Sequence, residues 1–277
     1  MTTPGHSPAV TAFRALHESG CFVLPNPWDI GSAKALYHLG YKALATTSAG
    51  YAFTRGLPDS PTALSLDEVL SHCREIVKAT PLPVNADFQN GYADEPEGVA
   101  KNVKLCVQTG VAGLSIEDST GDNSSPLYER EIAINRVRAA RAAIDATGSG
   151  VVLTARCEAW LLGFPDAEQI SLDRLAAFAE AGADCLFAPG VRDPLKIAAI
   201  VKAAAPKPVN VLMSAPHPGL SLSRLAELGV RRISVGSALA RVAWGAFMHS
   251  AESIARTGEF DSLSDAAQFG RLNDIFK

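Results

Sequence analysis

The sequence predicts a (β/α)8 barrel with extra helices at its C-terminal end. Three observations predict it. Short apolar runs alternate with longer segments of helical period; eight such runs occur; and four of them end in polar clusters of related chemistry. The clusters are Thr46-Thr47-Ser48-Ala49-Gly50, Asn85-Ala86-Asp87, Ile116-Glu117-Asp118 and Arg156-Cys157-Glu158. A buried strand has no local use for Asp, Glu or Arg at its C-terminal tip. A parallel barrel does, because all its strand tips converge on one mouth. Carboxylates plus one arginine at such a mouth point to a divalent cation holding an anionic substrate.

The competing arrangement is a doubly wound sheet. It would show a glycine-rich phosphate turn after an early strand, whereas Gly50 and Gly56 stand alone. The 277 residues, 47% of them hydrophobic, suffice for one barrel domain over 1–277, with 237–277 as a C-terminal helical extension.

Strands are expected at 21–24, 43–46, 82–86, 113–116, 151–155, 185–187, 209–212 and 232–235. The first helix between them covers 30–39 and stops at Gly40. The next covers 66–80. Ser65 precedes it as a cap, and Asp67 and Glu68 lie in its first turn, where the helix dipole favours negative charge. Helices at 95–109, 129–147, 171–181, 194–204 and 222–228 follow, most closing on Gly or a proline-rich exit. After the eighth strand, 237–256 and 264–276 both read as helices around a break at 257–263. That is more helix than barrel closure requires.

The formal net charge is -4, with no block of like charges, which argues against a nucleic-acid or anionic-membrane partner. No apolar stretch approaches the roughly 20 residues of a membrane span. The polar residues 1–8 contain no apolar signal core, so a cytoplasmic location is expected. Cys21, Cys73, Cys106, Cys157 and Cys185 are odd in number and widely spaced, the pattern of reduced thiols.

Strand alternation puts Asn85 and Asp87 on one face and Ala86 on the other. It also groups Arg156 with Glu158 and turns Cys157 toward the helices, as a small buried residue rather than a nucleophile. Asp87 is the leading metal-ligand candidate, with Glu117 at the next strand tip and Asn85 and Asp59 nearby. Magnesium keeps several waters and takes one or two protein carboxylates, so one direct ligand would suffice. Ser48, Ala49 and Gly50 offer a hydroxyl and consecutive N–H groups that can hold a carboxylate. Asn210 stands at the seventh tip. His217, between two prolines, reads as a loop feature.

These tips together resemble the isocitrate lyase and phosphoenolpyruvate mutase superfamily, which includes methylisocitrate lyases, phosphonopyruvate-processing enzymes and oxaloacetate decarboxylases. The resemblance runs from about residue 23 to residue 240. It is carried by Trp28-Asp29 with Ser32-Ala33, Thr47-Ser48-Ala49-Gly50, Asp59 after Leu57-Pro58, Asp87 with Gly91-Tyr92, Ile116-Glu117-Asp118, Ala155-Arg156-Cys157-Glu158-Ala159 and Asn210. It implies that Ser48, Ala49 and Gly50 bind the carboxylate of a 2-oxo acid or its enolate. Magnesium, replaceable by manganese, would be anchored by Asp87 and water-linked to Glu117 and Asp59. Arg156 would add charge beside the enolate, and Asn210 would touch the distal part of the substrate. The family's eighth helix is typically swapped within a tetramer, which implies a homotetramer built as a dimer of dimers.

Three departures stand out. The family usually has Asp where this chain has Asn85. Its lyases carry a Lys-Lys-Cys-Gly-His loop with the acid/base cysteine, and residues 119–128 replace it here. Lyases often place Glu after the sixth strand, where this chain reads Phe187-Ala188-Pro189-Gly190-Val191. The resulting expectation is a magnesium-dependent carbon–carbon lyase for a small 2-oxo or 2-hydroxy dicarboxylate, working through an enolate, with Arg156 and Glu117 as catalytic groups and Tyr128 or Asp122 supplying a proton. Asn123-Ser124 resembles the Asn-Ser of phosphoenolpyruvate mutases, so phosphonopyruvate mutase or hydrolase chemistry is the enzyme alternative. A non-catalytic 2-oxo-acid-binding protein is the other.

Overall fold

The computed structural model describes residues 5–60 and 62–277. Residues 1–4, half of the polar start considered above, lie outside the described residues. Eight parallel strands alternate with helices: β1 Phe22–Leu24, β2 Leu44–Ala45, β3 Val84–Asp87, β4 Gly113–Glu117, β5 Val152–Arg156, β6 Cys185–Phe187, β7 Val209–Leu212 and β8 Arg232–Ser234. Their order is β1-β8-β7-β6-β5-β4-β3-β2. Between β1 and β2 the ring is closed by single bonds: Ala45 N–H donates to Pro25 O at 3.0 Å and Asn26 Nδ2 to Thr46 O at 2.9 Å. The architecture is the nearly closed (β/α)8 barrel that the strand count predicts.

The helices are α1 Pro8–Glu18, α2 Ile30–His38, α3 Ser48–Thr54, α4 Leu66–Ala79, α5 Pro96–Val107, α6 Arg130–Thr147, α7 Ala167–Glu180, α8 Pro194–Ala204, α9 Leu222–Glu227, α10 Ala238–Thr257 and α11 Phe269–Phe276. Capping fixes several starts. Ser65 and Glu68 form a reciprocal box on α4. Asp29 and Ser32 do the same on α2, so the Trp28-Asp29-x-x-Ser32 signature is a helix start.

Two helices escape the sequence pattern. The first, α1, packs across the N-terminal end of the barrel. Phe13 is fully buried, edge-on to His17 and Phe22. Gly113 makes room for it: a Cβ there would meet Phe13 Cε1 at 2.5 Å and Asn85 Oδ1 at 2.7 Å. The second, α3, turns the expected Ser48-Ala49-Gly50 loop into a helix N-terminus capped by Thr47.

At the other end, α10 buries only Ala240 and leaves Val242 69% and Phe247 61% exposed. The chain then returns, and Phe276 of α11 packs near Gly31 of α2. No described helix is long and apolar enough to cross a membrane.

Candidate active site

Register sets the height of each polar tip. Asp87 pairs with Ser115 and Glu117 with Arg156, so the ends of β3, β4 and β5 stand side by side. Their side chains enter one pocket of about 400 Å³ at the C-terminal mouth. Arg156 is its hub. Nη1 lies 2.8 Å from Asp87 Oδ1 and 3.1 Å from Glu117 Oε2, while Nε and Nη2 both reach Glu158 Oε1 at 2.9 Å. Its guanidinium also lies over the Phe187 ring, 5.2 Å from the centroid.

The electrostatics follow from three buried carboxylates around one cation. Burial acts to lower the Arg156 pKa, but Glu117, Glu158 and Asp87 outweigh it and hold the group well above its usual range. Glu117 is pushed up to about 8 by burial, against Arg156, with Glu158, Asp87 and Asp118 adding to the rise. Burial likewise raises Glu158. Asp59 sits at the exposed rim of the same pocket. The mouth thus gathers Asp59, Asp87, Glu117 and Glu158 against Arg156 and Arg241.

Asp87 is held by three donors, which leaves one lone pair of Oδ1 open. Its Oδ2 accepts from Ser48 N–H at 3.0 Å and Ser48 Oγ at 2.9 Å, and its own N–H donates to Thr46 Oγ1 at 2.8 Å. Gly50 N–H is taken by the cap oxygen of Thr47, and a Cβ on Gly50 would strike Thr47 Cγ2 at 2.6 Å. With both Ser48 donors on Asp87, the expected three-residue anion cradle narrows to the N–H of Ala49, which lines the pocket beside Ser48; Gly50 serves packing.

A second layer holds these groups in place. Asp118 alternates away from the mouth, accepting from Glu158 N–H at 2.8 Å and Arg174 Nη1 at 2.9 Å. Gln89 adopts φ 43, and this left-handed turn aims its carbonyl at Glu117 N–H, 2.9 Å away. Cys157 is fully buried against α7, 3.7 Å from Ser171 Oγ, and burial raises its thiol pKa.

Tyr128 is not brought to the mouth. Its hydroxyl donates to Asp94 at 2.6 Å and accepts from Asn90, and the buried Arg136 lies 3.9 Å from its ring centroid. Burial, and then the Asp94 bond, push its phenol up to about 12. Arg136 also donates to the carbonyls of Asn90, Ala93 and Asp94. Tyr128 therefore braces the 90–94 loop and does not line the mouth pocket in this structure. Asp122 and Asn123-Ser124 lie on an exposed turn where Ser124 is bonded to Asp122.

The residues fit a hydrated cation better than a fully coordinated one. Among the described residues no three His, Cys, Asp or Glu converge to hold a metal by themselves. Asn85 Oδ1 is buried, lines the pocket region and accepts nothing, while its Nδ2 donates to Ala86 O at 3.0 Å. Asn85 Oδ1 faces Gly113, at the opposite end of β4 from Glu117, so the fit to a hydrated magnesium rests on the Asp87 and Glu117 carboxylates at the mouth.

Apart from Asn210, the floor of the pocket was missed by sequence reasoning. Asn210, the expected distal contact, is buried there with Arg232, Thr154 and Ser234.

A family model described as phosphoenolpyruvate phosphomutase matches residues 13–255. The chain belongs to that family. An uncharacterized protein of Mycobacterium tuberculosis is 34% identical over 94% of this chain and 92% of its own length. The 2-methylisocitrate lyase of Salmonella typhimurium is 30% identical over 68% of this chain and 64% of its own. Among solved structures, a Burkholderia cenocepacia protein assigned as a lyase or mutase superposes with TM-score 0.92 at 45% identity, over 97% of this chain and 95% of that one. A 2,3-dimethylmalate lyase described as a member of the PEP mutase/isocitrate lyase superfamily superposes with TM-score 0.86 at 27% identity, over 100% and 96%. The superfamily's lyases and mutases are thus this chain's homologues.

Proposed function

We propose that this member of the phosphoenolpyruvate phosphomutase family is a magnesium-dependent carbon–carbon lyase acting on a small 2-oxo or 2-hydroxy dicarboxylate. The observation that carries the reading is the single cation Arg156 gripped by Asp87, Glu117 and Glu158 at the barrel mouth. Asp87 would hold the metal ion directly, with Glu117 and Asp59 on its waters. When bound, magnesium (or manganese in its place) supplies positive charge beside the substrate's carboxylate and neighbouring oxygen.

The chain's own residues do the rest. The Ala49 N–H would orient the substrate carboxylate, with Ser48 beside it steadying Asp87. Breaking the carbon–carbon bond next to a carbonyl leaves the electron pair as an enolate. Arg156 is preorganised by its three carboxylate partners and meets that charge without reorganising. Glu117, 3.1 Å from Arg156 Nη1, holds that guanidinium in place beside the developing charge. Asn210 contacts the distal half.

The test is a substrate panel with magnesium: oxaloacetate, methylisocitrate, alkylmalates and phosphonopyruvate, with release of pyruvate or another 2-oxo acid followed. Turnover of a dicarboxylate supports the reading. Turnover of phosphonopyruvate alone replaces it with carbon–phosphorus chemistry. Stoichiometric oxalate binding with no turnover would make the protein a 2-oxo-acid binder.

A further inference from the structure

We propose that Arg232 is a positioning residue that makes the pocket floor a seat for a second anionic group of the substrate. The inference rests on the function proposed above. Arg232 opens β8 and is 2% exposed, yet all its partners are neutral. Nε donates to Asn210 Oδ1 at 2.9 Å, Nη2 to Thr154 Oγ1 at 3.0 Å, and Nη1 faces His17 Nε2 at 3.4 Å. His17 is neutral: burial and then Arg232 itself drive its pKa down to about 3, and its Nδ1–H donates to Phe13 O at 2.7 Å. No carboxylate among the described residues lies within ion-pair reach of Arg232. An unpaired buried charge is expensive, and a purely structural role at this position would be met by an apolar side chain.

The hydrogen bonds have a direction. Arginine only donates, so the oxygen of Asn210 must face it, and the Asn210 amide N–H must point onward. It donates to Ser234 Oγ at 2.9 Å. Ser234 Oγ thereby accepts, and its own O–H has no acceptor among the described residues. Arg232, Asn210 and Ser234 all line the same pocket as Arg156 and Asp87. The relay from Arg232 through Asn210 to Ser234 therefore delivers donors and a buried positive charge to the deep end. The mouth, rich in carboxylates, suits a cation-held carboxylate; the floor suits a second, unchelated one. Burial, with Arg156 adding, acts to lower the Arg232 pKa. A bound anion is the partner that reverses this.

The experiment compares calorimetric binding of pyruvate, with one carboxylate, and racemic malate, with two, in the presence of magnesium. Arg232→Met should weaken malate at least about tenfold and pyruvate by less than about twofold. Arg232→Lys should recover part of the malate affinity, since the charge returns without the fork. Asn210→Asp keeps Arg232 paired while cancelling its charge and removing the donor to Ser234. It should lose malate affinity while raising the melting temperature, and it serves if Arg232→Met fails to fold. Equal weakening of both ligands, or unchanged malate binding in Arg232→Met and Asn210→Asp, overturns the proposal, as does a wild type that binds pyruvate but not malate. A wild type that binds neither overturns the proposed function, and this inference with it.

Discussion

Arg156 Nη1 lies 2.8 Å from Asp87 Oδ1 although β5 and β3, which carry them, are separated by β4. The ion pair spans the barrel mouth over Glu117, the tip of the intervening strand, which Arg156 also touches at 3.1 Å. Such a pair is costly to break from one side only, because the remaining partner is left buried and unpaired. The two ends of the pair therefore have separable consequences.

Asp87→Ala is expected to abolish metal-dependent oxalate binding. Arg156 retains Glu117 and Glu158, so the protein should stay folded. EDTA should remove turnover, and magnesium or manganese should restore it. Full activity in metal-free buffer would remove the metal from the mechanism.

Arg156→Lys is expected to lower kcat far more than it raises KM, by about a hundredfold or more in kcat, because its charge is needed most where the enolate forms. A lysine cannot bond Asp87 and Glu158 at once with a planar fork. Unchanged kcat with altered KM in steady-state assays would reassign Arg156 to ground-state binding.

Cys157→Ser should keep most activity. The thiol is turned onto Ser171 of α7, away from Arg156, and burial and then Asp118 raise its pKa, so no thiolate is available. A stability loss of about 1 kcal/mol is expected from burying a hydroxyl in place of the thiol, with Ser171 Oγ as a polar neighbour. Loss of catalysis in the folded variant would overturn the inward and outward assignment along β5.

The barrel and its mouth were legible because alternation and strand-tip polarity are local properties of short runs. Asp87, Glu117, Arg156 and Asn210 were found that way. Residues 8–18 were hidden because Val10 and Phe13 are too few to announce a helix, although Ser7 and Pro8 form an N-terminal signal. The helix α3 was hidden because Ser48-Ala49-Gly50 carries poor helix formers, and Thr47 capping overrides them. Arg232 was hidden by its neighbour. Arg231-Arg232 reads as a solvated basic pair, and only barrel closure, with Phe22 opposite Arg232, turns the second arginine inward. The shared face of Arg232 and Ser234 was the available signal. Nothing in the segment around Tyr128 announces the Asp94 and Arg136 contacts that hold it.

His72 predicts an acid-sensitive fold. It stacks on Tyr51 with centroids 3.9 Å apart, and its Nε2 is buried without a partner among the described residues. Burial lowers its pKa from 6.5 to about 4. Between those values the unfolded chain takes up a proton that the folded chain does not. The contribution is thus complete above pH 6.5 and is lost as pH falls toward 4. At pH 5 the loss is about 2 kcal/mol. His72→Phe keeps the stack and removes the titration, so urea unfolding between pH 7 and 5 should show a slope smaller by about one proton. An unchanged slope would locate the acid sensitivity elsewhere.

The last prediction concerns assembly. Along α10, Val242, Trp244, Phe247 and Met248 are all exposed, and the Trp244 and Phe247 rings pack edge-on to each other, 5.6 Å apart. Trp244 and Met248 also wall an apolar cleft with Phe53, near the C-terminal end of the helix α3 that begins at Ser48, and with Leu57 just beyond it. One barrel wall cannot cover so many large apolar groups, and leaving them wet invites aggregation. We propose that a second copy covers them by exchanging α10, and closed symmetry then favours a dimer or a dimer of dimers. Light scattering should give a homo-oligomer with the mass of a tetramer. Phe247→Asp should shift it toward smaller species, and truncation after Ala240 should give insoluble or dissociated protein. Because the cleft adjoins α3, dissociation should lower activity as well as mass. A monomer that stays soluble and fully active on dilution would return α10 to the role of a simple cap.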